Sequence, residues 1–85
     1  MHELHYTKAA VKALRKMCRK DRRRMQAALH MLAEDPDRND LDTKPLQGRD
    51  GYRLRVGHWR ALYRLENERL ILLILKVGPR GDVYK

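Results

Sequence analysis

The chain has 85 residues, which fits one domain with a thin core. Its charge is unbalanced, with 20 Lys+Arg against 11 Asp+Glu and a formal net charge of +9, the electrostatic footprint of a protein that meets polyanions. A lone cysteine, Cys18, excludes an internal disulfide and fits a reducing compartment. The longest apolar run, Leu70–Leu75, is far below the ~20 residues of a membrane span, so a soluble chain is expected.

The N-terminus, Met1-His2-Glu3-Leu4-His5, lacks the apolar stretch of a signal peptide. Leu4 and Tyr6 alternate with Glu3 and His5, which predicts a short strand over 2–6. Thr7 then offers an N-cap, and Ala10, Val11, Leu14, Met17 and Cys18 form one stripe of a helix. Asp21 is the expected cap of a second helix, with Met25, Ala28, Leu29 and Leu32 at i, i+3, i+4 and i+7. That helix should stop near Asp35, because Pro36 disfavours helical backbone in the residue before it. Residues 36–50, with Pro36, Asp37, Asn39, Asp40, Pro45 and Gly48, read as a loop.

From Tyr52 the period changes to two. Tyr52, Leu54 and Val56 point one way, Arg53 and Arg55 the other. Gly57-His58 reads as a hairpin turn, and Trp59, Ala61, Tyr63 and Leu65 alternate with Arg60, Leu62 and Arg64 on the returning strand. Glu66-Asn67-Glu68 makes a second turn, Leu70–Leu75 reads as a central strand, and Gly78-Pro79 should end it. The expected fold is α+β: an N-terminal strand and a helical hairpin packed on a small antiparallel sheet, one domain over residues 1–85. Cys and His show no metal-ligand spacing, so neither metal nor other cofactor is expected.

The arginines carry the chemistry. Arg53 and Arg55 at i, i+2 share a strand face, about 6–7 Å apart. If Val56 and Trp59 flank a two-residue loop, Arg55 lies directly opposite Arg60. Like charges in that position destabilise a sheet, so the placement suits a bound phosphate better than it suits stability. Arg80 follows the last strand and Tyr84 lies four residues further on, so four guanidiniums and one phenol could converge on one RNA backbone position. Arginine presents a planar fork that matches phosphate oxygens and stays protonated. The chemistry this suits is cleavage of an RNA linkage by its own 2′-hydroxyl.

The segment Tyr52-Arg53-Leu54-Arg55-Val56-Gly57-His58-Trp59-Arg60-Ala61-Leu62-Tyr63 resembles the central hairpin of RelE/ParE-superfamily toxins. Leu75-Lys76-Val77-Gly78-Pro79-Arg80-Gly81-Asp82-Val83-Tyr84 resembles the RelE-type ending, and Tyr6-Thr7-Lys8-Ala9-Ala10 and Leu46-Gln47-Gly48 also fit. The resemblance spans essentially the whole chain. It implies a cytoplasmic toxin of a type II toxin–antitoxin system with a cognate antitoxin encoded beside it. It further implies a ribosome-dependent endoribonuclease that cuts mRNA without metal and leaves a 2′,3′-cyclic phosphate.

By the same resemblance the site is Arg53, Arg55, Arg60, Arg80 and Tyr84. Arg60 and Arg80 would grip the scissile phosphate, and Tyr84 would stack on a base or assist proton transfer. Many relatives carry lysine where this chain has Arg53 or Arg55, and often histidine where it has Pro79. Arginine is a poor base, which leaves the proton acceptor open: His58 is a possible substitute, and Lys76 and Lys44 are weaker candidates. The alternative within the superfamily is a ParE-type poison that binds DNA gyrase and cuts nothing.

Overall fold

The computed structural model of the chain describes residues 1–79. In chain order these hold strand β1 (Glu3–Tyr6), helices α1 (Lys8–Lys16) and α2 (Arg19–Glu34), then strands β2 (Asp42–Pro45), β3 (Tyr52–Val56), β4 (Trp59–Glu66) and β5 (Ile71–Pro79). The strands form a sheet in the order β1-β5-β4-β3-β2. No helix among the described residues is long and apolar enough to cross a membrane.

Both helices cover one face of the sheet. Ala10, Leu14 and Met17 on the first helical stripe, and Met25, Ala28, Leu29 and Leu32 on the second, are buried. They pack with Leu54, Ala61, Tyr63, Leu72, Ile74 and Val77 from the strands, and Leu4, Tyr6, Val56 and Trp59 border that core. The apolar alternation read from Tyr52 onward is thus the helix-facing set of side chains. Each fully buried Leu, Ile or Met contributes about 1.5–3 kcal/mol, so this one layer supplies most of the driving force for folding.

Five local features differ from the expectation. The sheet is mixed, because β1 runs parallel to β5, pairing Leu4 with Leu72 and Tyr6 with Ile74. The region read as a loop over 36–50 contains β2, paired antiparallel to β3. Helix α2 begins after Cys18, whose side chain makes no cap, and Asp21 lies in its first turn instead of capping it. Cys18 itself is exposed, so the first stripe ends at Met17. Gly78-Pro79 closes β5 without interrupting it, since Trp59 pairs with Pro79 and Arg60 with Gly78.

A register shift between Leu62 and Tyr63 leaves Leu75 as an extra residue on β5. A bulge frees backbone groups from the ladder, and a carbonyl left unpaired there is costly. Thr7 resolves this with one side chain. Its hydroxyl donates to the Leu75 carbonyl at 2.6 Å and accepts from the Ala10 amide at 3.1 Å, capping α1. The Thr7 amide meanwhile donates to the Ile74 carbonyl at 3.0 Å.

Two glycines hold the ends of β3. Gly57 takes the first central position of the β3–β4 turn at φ +60°, with no positive φ at His58, which is the pattern of a two-residue II′ turn. Gly51 has φ +119°, and a Cβ there would lie 2.9 Å from the Tyr63 carbonyl oxygen, so backbone approach as well as dihedral demands glycine. Tyr63 is buried next to that contact and stacks on Tyr52 with ring centroids 5.5 Å apart. Burial pushes its phenol up to about 12, with a hydrogen bond to Thr43 opposing.

Two outcomes follow from these contacts. Thr7→Ala removes a cap and orphans a bulge carbonyl, so it should cost about 1–3 kcal/mol and lower the Tm by several degrees. Thr7→Ser should restore most of this; the check is thermal melting followed by circular dichroism. The folded state prefers the neutral Tyr63 phenol. Its contribution is therefore intact below the unfolded pKa of 10.0 and is lost as pH rises toward about 12, a loss of order 2 kcal/mol. Urea melts between pH 9 and 12 should show this descent, and Tyr63→Phe should flatten that part of it.

Candidate nucleic-acid interface

The face of the sheet away from the helices carries the candidate site. Strand register places its side chains in rows across β2, β3, β4 and β5. Asp42 pairs with Arg55, Arg55 with Arg60, and Arg60 with Gly78. The neighbouring row is Lys44, Arg53, Leu62 and Lys76. Five cations thus occupy two adjacent rows, with strands roughly 4.8 Å apart and rows about 6–7 Å apart. The two-residue turn fixes this register, so a shift of one residue would send every arginine to the core face.

Arg60 is buried, at 7% exposure, with Nη1 donating weakly to the Trp59 carbonyl at 3.4 Å. No carboxylate among the described residues reaches ion-pair distance of it. A guanidinium held out of water beside a second one is costly, and an anion placed between them removes that cost.

The placement of Arg55 opposite Arg60 agrees with the sequence reading, but the reading missed a compensating charge. Asp42 on β2 bridges both arginines of β3. Its Oδ1 accepts from Arg53 Nη2 at 2.8 Å, and its Oδ2 pairs with Arg55 Nε at 2.6 Å. Arg53 is mostly buried, and its Nε is enclosed with no hydrogen-bond partner among the described residues. Asp42 carried no signal in the sequence, because it stood in a segment with neither apolar alternation nor a motif.

Beyond Arg53 the surface dips into a depression of about 350 Å³ between the face and the β2–β3 loop. Lys44, Arg49 and Arg53 supply its charge, Pro45 and Leu46 its apolar wall, and Gln47 an amide. The basic surface therefore continues off the sheet. The loop is tied shut by the Leu46 amide donating to the Gly51 carbonyl at 2.9 Å.

Of the five expected site residues, the structure brings Arg53, Arg55 and Arg60 onto one face. Arg80 and Tyr84 lie outside the described residues. Of the three candidate bases, Lys44 and Lys76 share the face, whereas His58 is exposed in the β3–β4 turn. No group of three or more His, Cys, Asp or Glu among the described residues could hold a metal ion.

Trp59 anchors the hairpin end to the helical layer. Its Nε1 donates to Asp21 at 2.9 Å. That bond, with a smaller one from Cys18, holds the Asp21 carboxyl below its ordinary value, and Arg24 and Lys20 act in the same direction. Asp21 thus ties the start of α2 to the residue beside Arg60.

Comparison with solved structures gives close overlays. The chain is 30% identical to a chain of the archaeal RelE–RelB complex from Pyrococcus horikoshii, with a TM-score of 0.82 over 95% of this chain and 97% of that one. It is 28% identical to a chain of the toxin–antitoxin complex RelBE2 from Mycobacterium tuberculosis, TM-score 0.69, covering 93% of this chain and 98% of that one. The isolated Escherichia coli RelE toxin shares the fold at 24% identity, TM-score 0.80, covering 99% of this chain and 92% of that one. No curated protein sequence matches. The fold and the hairpin are those of the RelE/ParE superfamily of toxins. The profile of the ParE toxin of type II toxin–antitoxin systems, parDE, matches residues 4–84, and the chain belongs to that family.

Because Trp59 is the one tryptophan, its fluorescence reports on Asp21. Acid titration should give a fluorescence transition with a midpoint below 3.8, since the folded carboxyl is held low. Asp21→Asn should abolish that transition. A midpoint at or above 3.8 would contradict the contact.

Proposed function

We propose that this toxin is a ribosome-dependent endoribonuclease that cuts mRNA by internal attack of a 2′-hydroxyl, with fixed guanidiniums stabilising the phosphate. The observation that carries the reading is the direct opposition of Arg55 and a buried Arg60 on the face away from the helices, bordered by Arg53, Lys44 and Lys76. A surface built only to be solvated would spread these charges apart.

In the reaction the 2′-oxygen bonds to the adjacent phosphorus and the bond from phosphorus to the 5′-oxygen breaks. The upstream fragment keeps a 2′,3′-cyclic phosphate and the downstream fragment leaves with a 5′-hydroxyl. Negative charge accumulates on the non-bridging oxygens in the transition state. Arg60, with Arg55 and Arg53 beside it, offers N–H donors that need no reorganisation as that charge grows. Arg80 would complete the grip, and Tyr84 would stack on a base or deliver a proton to the leaving oxygen. Lys44 and Lys76, at opposite ends of the adjoining row, lie on this face, whereas His58 lies in its turn; a lysine would take the 2′-proton only as the neutral amine.

The partner that restrains the toxin is a cognate antitoxin. The solved relatives from Pyrococcus horikoshii and Mycobacterium tuberculosis are toxin–antitoxin complexes, which supports the same for this chain. An acidic, partly disordered antitoxin fits the basic helical surface of Lys12, Lys16, Arg22, Arg23 and Arg24.

The matched family is described by its ParE members, which favours a second reading: binding and poisoning of DNA gyrase without cleavage. Incubation with translating ribosomes and a defined messenger separates the two. The nuclease reading expects cuts with cyclic-phosphate ends, lost in Arg60→Ala and in Arg80→Ala while circular dichroism stays unchanged. Intact messenger together with stalled gyrase would establish the second reading. If about five phosphates are contacted, affinity for single-stranded RNA should fall with log salt at a slope of about −3.5; a flat dependence would contradict an RNA-binding face.

A further inference from the structure

We infer that Asp42 is an internal stand-in for the substrate phosphate: its carboxylate holds Arg53 and Arg55 in the free toxin and yields them to an RNA phosphate on binding. The inference rests on the nucleic-acid reading of this face and adds a regulatory group to it.

Asp42 is the one carboxylate among the described residues that pairs with any of Arg53, Arg55 and Arg60. Both of its oxygens are engaged, each by a different guanidinium, at 2.8 and 2.6 Å. Two anionic oxygens bridging two forks is also how a phosphodiester would be held, since its two non-bridging oxygens offer the same acceptors. The carboxylate thus keeps two like charges oriented toward one point while no RNA is present. Without it, Arg53, Arg55 and Arg60 would repel one another across adjacent strands.

The clamp is also suited to release. Asp42 belongs to the edge strand β2, four residues long, and Arg55 is half exposed. The Arg55–Asp42 pair is partly exposed, and such pairs are weak, so a phosphate backed by Arg60 and the neighbouring lysines can draw Arg55 from the carboxylate first, with Arg53 following. The freed Asp42 then turns to solvent, while Arg53 and Arg55 are already oriented for the incoming anion. The device lowers affinity for RNA in general and leaves strong binding to linkages presented in the right geometry.

The test uses the full chain and a short single-stranded RNA in which every 2′-hydroxyl is methylated, so that binding is read without cleavage. Asp42→Asn should tighten binding about five- to tenfold and steepen the log–log salt dependence by about 0.7, the increment of one further phosphate. Glu68→Gln makes the same charge change in the distant β4–β5 turn and should alter affinity less than twofold. Equal effects of the two variants would reduce the result to net charge and overturn the inference. Weaker binding in Asp42→Asn would overturn it too, making Asp42 a positioning residue only.

A second measurement needs no variant. The Arg55 Nε–H resonance of the unmodified chain should shift on titration with the methylated RNA as its acceptor changes from carboxylate to phosphate; a fixed resonance under saturating RNA would contradict displacement. RNA binding that responds to Asp42 in this way, in a chain that cuts no messenger on ribosomes, would leave the inference standing and remove the nuclease reading.

Discussion

Like charges do not sit opposite one another in a sheet without a reason, and Arg55 faces Arg60 across the β3–β4 hairpin. Almost everything else in the structure serves to impose that arrangement. The two-residue turn at Gly57 sets the register. The apolar residues of the same strands, Leu54, Ala61 and Tyr63, are fixed in the helix-covered core, so the alternating arginines have no choice of face. Trp59 is bonded to Asp21 at the start of α2, which holds the hairpin end against the helical layer. The core is therefore the device that holds positive charge together, and the free energy of apolar burial offsets the repulsion it creates.

The arrangement explains why arginine suits these positions. A lysine can move its single charge away from a neighbour on a flexible stem. A guanidinium on a short, rigid strand presents a planar fork whose direction is set by its partners. Arg53 and Arg55 are oriented by one carboxylate, and Arg60 is fixed by burial. On the proposed reading, these guanidiniums are organised before any anion arrives, the condition under which electrostatic stabilisation of a transition state is most effective. The basic depression beside Arg53 extends the same surface off the sheet.

Much of this was legible in the sequence because the signals were local. Alternation over Tyr52–Val56 and Trp59–Leu65, separated by Gly57-His58, gave the hairpin, its register and the two faces. Thr7 was readable as a cap, though its second bond to the Leu75 carbonyl was not, since that partner is defined by a bulge in a distant strand. Strand β2 was invisible for a physical reason. Asp42-Thr43-Lys44-Pro45 buries no large apolar side chain and carries a proline, so it is a strand only because β3 offers an edge to pair with. The parallel pairing of β1 with β5 is likewise a long-range choice that four residues of alternation cannot encode. Missing β2 meant missing Asp42, and with it the charge that steadies the arginines.

On the proposed function, RNA meets the face of the sheet away from the helices, at its hairpin end, and not the basic helices on the opposite side. The most direct measurement is a solution NMR titration of the full chain with a methylated, uncleavable single-stranded RNA, following backbone and arginine side-chain resonances. The account predicts the largest shifts at Lys44, Arg53, Arg55 and Arg60, with Gln47 and Arg49 following as the strand lengthens. Shifts confined to Lys12, Lys16 and Arg22–Arg24, with the sheet face unmoved, would contradict it.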